Sequence, residues 1–214
     1  MKTRERILST SLQLFNDFGE PNITTIDISN EMEISPGNLY YHFQGKDAII
    51  LELYLRFEHD LIELLESPSR NELAVDDYWL YLHIIFETIQ NYRFLYRDLS
   101  NLLAKYKKIQ ARFNRLISRK KQMFIDICQK LKKADFLMAT EEEIEALADN
   151  AVVIATFWLN YQVMRHKNAY DSSYISQGIY QVITLIAPYL VAEQKVHVQT
   201  ICRMYKDKGY LLRD

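Results

Sequence analysis

The sequence predicts an all-α fold: an N-terminal three-helix unit with a helix-turn-helix, followed by a larger helical body, about nine or ten helices in total. Three observations lead there. Only five Gly and four Pro punctuate 214 residues, too few for the tight turns of a sandwich, a barrel or alternating strands and helices. Apolar residues return at three- and four-residue spacing along most of the chain. Side chains that cap helices stand where several of those periodic runs begin. With 49% hydrophobic and 25% charged residues, the composition supports a packed core.

The first helix is traced by Ile7, Leu8, Ser11, Leu12, Phe15 and Phe18, with Arg4, Glu5, Arg6, Gln13 and Asp17 between them. Gly19 and Pro21 end it. A second, shorter helix opens at Thr24-Thr25-Ile26-Asp27, where a threonine hydroxyl accepts from orphan backbone N–H groups and Asp27 reaches back, a capping box. Ile28 and Met32 are its expected buried pair. The third begins at Ser35-Pro36-Gly37-Asn38: Ser35 is a strong N-cap, and Pro36 sits where its missing N–H costs nothing.

At 100° per residue, Leu39 and Phe43 fall on one side of this third helix with Pro36 near them. Gly37, Asn38, Tyr41 and His42 fall on the other, and Tyr40 lies on the border. Two short helices joined by a tight turn, the second with a polar and aromatic outer face, suit a DNA major groove about 12 Å wide. Gly37 would let the backbone come close. Tyr41 and Asn38 would reach base edges, and Tyr40 and His42 would bond phosphates. Lys46, in the first turn of the next helix, opposes the helix dipole, a mismatch that makes sense if a phosphate docks there.

Thr24-Thr25, Asp27-Ile28 and the run Ile34-Ser35-Pro36-Gly37-Asn38-Leu39-Tyr40-Tyr41-His42-Phe43, followed by Lys46, resemble the DNA-binding domain of the TetR family of regulators over roughly the first fifty residues. The resemblance implies that Thr24, Thr25, Ser35, Pro36, Gly37, Asn38, Tyr40, Tyr41, His42 and Lys46 occupy positions that commonly face DNA. Two residues depart from the pattern: Glu33 stands where the inter-helix turn usually carries Gly, and Glu31 stands on a helix whose outer face is often basic. Residues 1–46 hold four basic and six acidic residues. Phosphate neutralisation is therefore local, and the salt dependence of DNA binding is expected to be modest.

Behind this head, residues 47–214 read as an effector-binding and dimerisation domain. A long helix from Lys46 to about Glu66, ended by Ser67-Pro68-Ser69, links the two parts. The aromatic stretch that follows suggests a cavity for a small, mostly apolar molecule, with Tyr78, Trp79, Leu82, His83, Phe86, Asn91, Arg97, Phe157 and Tyr161 as its candidate lining. Residues 105–133 carry eleven basic residues against Asp126 alone; this is either the solvated face of a long core helix or a second contact for anions. The glutamates at 141, 142, 143 and 145 crowd an expected helix start after Thr140. Two later helices, around 147–164 and 175–190, are apolar on more than one face and need cover on two sides. Ala148, Ala151, Ala155, Trp158, Ile179, Ile183 and Ile186 are the expected homodimer interface. The tail 193–214 shows weak helical spacing and no assignable role.

No Gly-rich phosphate loop, nucleophile elbow or dinucleotide fingerprint is present, and His59, His83, His166 and His197 are scattered without metal-ligand spacing. The chain is therefore expected to be neither an enzyme nor a metal or cofactor protein. Cys128 and Cys202 read as two reduced thiols. The most apolar stretch, 179–191, falls short of the roughly 20 residues of a membrane span, and no secretory signal is evident, so a cytoplasmic protein without a membrane partner is expected. The expected function is a ligand-responsive transcriptional regulator, a repressor that binds a near-palindromic double-stranded operator as a homodimer and is released by a small-molecule effector. The competing reading, supported by Glu31 and Glu33, is a helical interaction module with a vestigial helix-turn-helix.

Overall fold

The computed structural model describes residues 2–70, 75–97, 99–165 and 173–210. It contains α1 (Thr3–Phe18), a 3₁₀ turn (Glu20–Asn22), α2 (Thr25–Glu31), α3 (Pro36–His42), α4 (Lys46–Arg70), α5 (Val75–Asn91), α6 (Phe94–Arg97), α7 (Leu99–Lys105), α8 (Lys107–Lys133), α9 (Glu141–Arg165), α10 (Ser173–Ile186), a second 3₁₀ turn (Ala187–Tyr189) and α11 (Ala192–Tyr210). No strand occurs among the described residues, and their one isolated antiparallel bridge joins Leu137 to Leu190. None of the helices is long and apolar enough to cross a membrane.

The described residues form eleven α-helices, against the nine or ten expected, because the chain after Asn91 breaks into two short pieces. A side chain from α1 helps make the break: Asn16 Oδ1 accepts from the Phe94 backbone N–H at 3.0 Å and so starts α6 afresh. α4 runs four residues past the expected end, to Arg70, so Pro68 lies within its last turn. Phe18 is not buried but 57% exposed, since α1 stops at that residue and Gly19, at φ 87, turns the chain away.

One core runs without interruption from head to body. Ile7, Leu8, Phe15, Ile28 and Leu39 from α1–α3 pack with Ile49, Leu53 and Phe57 of α4, and the same cluster takes in Phe94, Tyr96 and Phe113. Burying each such side chain is worth about 1.5–3 kcal/mol, so α4 belongs to both parts. A second core joins α8 to α11 through Cys128, Ala148, Ala151, Ile179, Ile183 and Val198. Cys128 and Cys202 are free thiols.

This second core corrects the expected dimer interface. Ala148, Ala151, Ile179, Ile183 and Ile186 are buried within their own chain, with Ala155 packed against them. Trp158 is half-buried and donates its Nε1–H to the Tyr174 carbonyl at 2.8 Å. The two-sided apolar character of α9 and α10 is used up by α5, α8 and α11 of the same protomer. Gly178 permits this closeness, since a Cβ there would run into the ring of Phe86 and lie 2.8 Å from Trp158. What α9 leaves outward is a different stripe: Val153, Phe157, Tyr161 and Met164, all exposed, at spacings of four, four and three that share one helix face.

The basic helix α8 spends much of its charge inside the molecule. Arg112 pairs with Glu58 and Arg119 with Glu66 on α4, while Lys121 meets Glu145 and Asp149, and Lys132 meets Glu141, on α9. The glutamates at 141–145 do open a helix, and Thr140 and Glu143 form its capping box.

Head and body are joined by a buried carboxylate. Glu20 Oε1 lies 3.0 Å from Lys46 Nζ, 3.2 Å from Lys105 Nζ and 3.0 Å from the Tyr106 hydroxyl. Lys46 also donates to the carbonyls of Glu20 and Ile23, at 2.6 and 2.7 Å. The expected phosphate contact by Lys46 is thereby corrected: its three donors are committed to internal acceptors. It clamps the start of α4 to the 3₁₀ turn. Asn16 adds a second tie by donating to the Asn91 carbonyl at 2.8 Å, and Arg93 a third through Asp17 at 2.6 Å.

Burial raises the Glu20 pKa, but the hydrogen bonds from Lys46, Lys105 and Tyr106 outweigh it and hold the carboxyl below the ordinary range. A carboxylate of that kind stabilises the fold above its unfolded pKa, and the contribution is lost as pH falls through the lower folded value. In urea unfolding at pH 7, Glu20→Gln is expected to cost about 2 kcal/mol, the scale of a lost charge-assisted hydrogen bond. The gap to the wild type should close as pH falls below about 4, near the ordinary range of glutamate.

Candidate nucleic-acid interface

Each of the two helix-turn-helix elements is started by its own side chains. Thr24 Oγ1 accepts from the Asp27 N–H at 3.2 Å, and the Asp27 carboxylate accepts from the Thr24 N–H at 2.8 Å and from its hydroxyl at 2.6 Å. These hydrogen bonds from Thr24 hold Asp27 below the usual carboxylate range. Ser35 Oγ accepts from the Asn38 N–H at 3.2 Å, with Pro36 in the first turn of α3. Both caps were legible in the sequence.

Between the helices, Met32 and Glu33 make the turn, with Glu33 N–H bonded to the Asn30 carbonyl and Ile34 N–H to that of Ser29, each at 3.0 Å. Glu33 takes φ 55, a left-handed conformation that costs a residue with a Cβ roughly 1–2 kcal/mol. The turn therefore has the geometry that favours Gly and carries Glu instead, with an exposed carboxylate at the edge of the reading surface.

α3 divides as its spacing predicts. Leu39 and Phe43 are buried, 1% and 4% exposed, while Tyr41 is 85% exposed and Tyr40 63%. Pro36, Gly37 and Asn38 are exposed with them, and His42 is half-buried with its ring 5.2 Å from that of Tyr41. Arg4 of α1 lays its guanidinium over the Phe43 ring at 4.8 Å and pairs with Glu52 of α4, which fixes the C-terminal end of α3. Thr24, Thr25, Ser35, Pro36, Gly37, Asn38, Tyr40, Tyr41 and His42 thus lie on or at the rim of one exposed surface, with Thr24 engaged by its cap. Lys46 is turned inward. Ile26, 58% exposed at the start of α2, belongs to the same neighbourhood and was missed; its offset from the buried pair Ile28 and Met32 was the available signal.

Among the described residues, the candidate pocket residues do not come together in one cavity. Tyr78 and Leu82 line an apolar crevice of about 40 Å³ with Tyr81, Met123, Phe124, Ile127, Leu131, Val182 and Ile186. Phe86 is buried against α10, and His83 lies beside Tyr205 with its Nδ1 lacking a partner. Asn91 ends α5 and lends its carbonyl to Asn16. Arg97 lines a separate cleft of about 530 Å³ between head and body, with Glu20, Asn22, Asn101 and Lys105 beside Phe94, Leu102 and Val163. Phe157 and Tyr161 point outward on α9, because the inward face of that helix is its alanine side. The side chain of Trp79 lies outside the described residues. No group of three or more potential metal-ligating side chains is assembled among the described residues.

Comparison with known proteins agrees with this architecture. Residues 7–53 match the family model described as "Bacterial regulatory proteins, tetR family", and residues 56–198 match one described as "Bacterial transcriptional repressor". The biofilm operon negative regulator IcaR of Staphylococcus aureus is 26% identical over 142 residues, which is 62% of this chain and 75% of IcaR. A TetR-family regulator from Marinobacter aquaeolei superposes with a TM-score of 0.88 at 35% identity, over 96% of this chain and 99% of that one. A transcriptional regulator from Saccharomonospora viridis, solved in complex with choline, shares the fold at 19% identity with a TM-score of 0.66, over 85% of this chain and 95% of its own. The matched models together span both head and body, and the chain belongs to the TetR family of bacterial transcriptional regulators.

Proposed function

We propose that the chain is a ligand-responsive repressor that binds a near-palindromic operator as a homodimer and is released by a small, mostly apolar molecule. The observation that carries the reading is the outward projection of Tyr41 and Tyr40 from a helix capped by Ser35 whose opposite face is buried. Large aromatic side chains held in water by rigid backbone are surfaces for recognition. Residues 1–46 then read DNA, and residues 47–214 bind the effector and dimerise, in the cytoplasm. Gly37 admits the phosphate backbone, Asn38 and Tyr41 reach base edges, and Tyr40 and His42 bond phosphates with Thr25, Ser35 and Pro36 at the rim.

The stripe Val153, Phe157, Tyr161 and Met164 supports the homodimer. Four large apolar side chains in line on one helix form a patch that monomers seldom leave wet, and a two-fold axis lets the patch pair with itself. The dimer then presents two α3 helices to successive major grooves. Effector binding favours a head spacing that fits only one half-site, provided the ligand prefers that conformation. The choline complex of the Saccharomonospora viridis regulator supports a ligand-holding body in this fold without selecting the ligand here.

Gel-shift titration against the gene's own upstream region tests the reading: the wild type is expected to shift it, and Tyr41→Ala to weaken the complex at least tenfold, the scale of one lost base contact. Equal affinity for the two proteins would remove α3 from the interface. In sedimentation, Phe157→Asp is expected to turn a dimer into a monomer and to lose operator binding with it. A dimer that survives the substitution would move the interface off this stripe.

A further inference from the structure

Lys120 is the one basic residue of α8 that is buried, and none of the ion pairs of that helix includes it. It is 4% exposed, its ammonium nitrogen lies 3.0 Å from the Tyr96 hydroxyl, and it sits 5.1 and 5.8 Å from the ring centres of Tyr96 and Phe113. No carboxylate pairs with it among the described residues. Burial alone lowers its pKa to about 7. A buried cation without an anion is costly, and Met or Leu would fill the same space more stably.

The surroundings show what would complete it. Lys120 lines a crevice of about 30 Å³ with Leu82, Met123 and Phe124, and those three residues also line the adjoining crevice of about 40 Å³ that runs along Tyr78 to Ile186. The titratable group that touches Lys120 is the hydroxyl of Tyr96 on α6; the Tyr54 hydroxyl of α4, whose charge acts on Tyr96, is buried without a partner, and burial raises the pKa of both. From α5 and α9 the crevice receives only Leu82, Ile85, Ala151, Val152 and Ala155. One ammonium and one phenol offer donors for the two oxygens of a single carboxylate, whereas a phosphate would bring more charge and more acceptors than the site can match. The apolar walls suit an apolar remainder, which would enter by displacing the flexible side chain of Met123.

Resting on the ligand-responsive reading above, we infer that the effector is an apolar monocarboxylate whose carboxylate binds Lys120 and Tyr96 and whose apolar part follows the Leu82–Met123–Phe124 crevice. The route to the head is short. Tyr96 belongs to the four-residue helix α6, whose first N–H is held by Asn16 and whose Phe94 ring lies 5.4 Å from that of Phe15 on α1. A carboxylate that inserts between Lys120 and Tyr96 shifts α6, and α1 moves with it through Asn16 and Phe15.

Isothermal titration at pH 8 with hexanoate, decanoate and phenylacetate, each beside its matching alcohol, tests the inference. At least one carboxylate is expected to bind ten times more tightly than its alcohol. Its binding should take up close to one proton, read from buffers of differing ionisation enthalpy, because the empty amine is mostly neutral at that pH. Lys120→Met is expected to weaken it tenfold or more, and thermal unfolding reports whether that variant is folded; if it is not, proton uptake by the wild type decides. Equal binding of alcohol and acid, no proton uptake, unchanged affinity in a folded Lys120→Met, or no binding of any of these acids at 1 mM would overturn the inference. Gel shifts on the same samples separate the two claims. Loss of this site with an operator complex that other metabolites still release leaves the ligand-responsive repressor standing, whereas absence of any operator complex removes that reading itself.

Discussion

The Glu20 carboxylate holds the reading head to the body. One oxygen of this buried side chain gathers Lys46 from the start of α4 and the neighbours Lys105 and Tyr106 from the joint between α7 and α8, so segments around residues 20, 46 and 105 meet at one point. Charge-assisted bonds of this kind are short and directional. They also keep desolvated charges paired, which is the condition for burying them at all. With Asn16 bonded both to α5 and to α6, the head cannot tilt on α4 without breaking polar contacts that lie away from water. A body that changes shape therefore carries the head with it.

Against that fixed frame, α3 works as a small rigid platform. Its two faces are separated by the helical period alone: Leu39 and Phe43 go inward, and Tyr40 and Tyr41 have nowhere else to go but out. The strained turn at Glu33 belongs to the same economy. A left-handed residue is needed to bring α2 and α3 together in so few residues, and the cost of placing Glu there is met by the packing of Ile28, Met32 and Leu39 behind it.

Much of this was legible in the sequence because it is local. The caps at Thr24, Ser35 and Thr140 declare themselves within three residues, and the face of α3 follows from counting. What was not legible is long-range. A lysine at the start of a helix looks the same whether it waits for a phosphate or, like Lys46, is turned inward to Glu20 and two carbonyls. Periodicity marked α9 and α10 as covered on two sides but not by which neighbours, so Ala148 and Ile183 were assigned to a twin when α5, α8 and α11 of the same chain cover them. Spacing alone likewise does not tell that Phe157 and Tyr161 are exposed on the outer face of α9. In α8, ten basic residues in a row of blocks hid the single one that is buried.

The central claim is that Glu20 ties the head to the body as one unit, and an intramolecular distance measures this most directly. Spin labels at Glu31→Cys on α2 and Met138→Cys, both exposed sites, would be placed in a Cys202→Ser background. Cys128 stays unlabelled because it is buried and its thiol is pushed up to about 12. With labelled chains diluted in unlabelled protein, pulsed electron paramagnetic resonance is expected to give one narrow distance distribution for the chain with Glu20 and a clearly broader one for Glu20→Gln. Equal widths would show that the head is held by something other than this carboxylate.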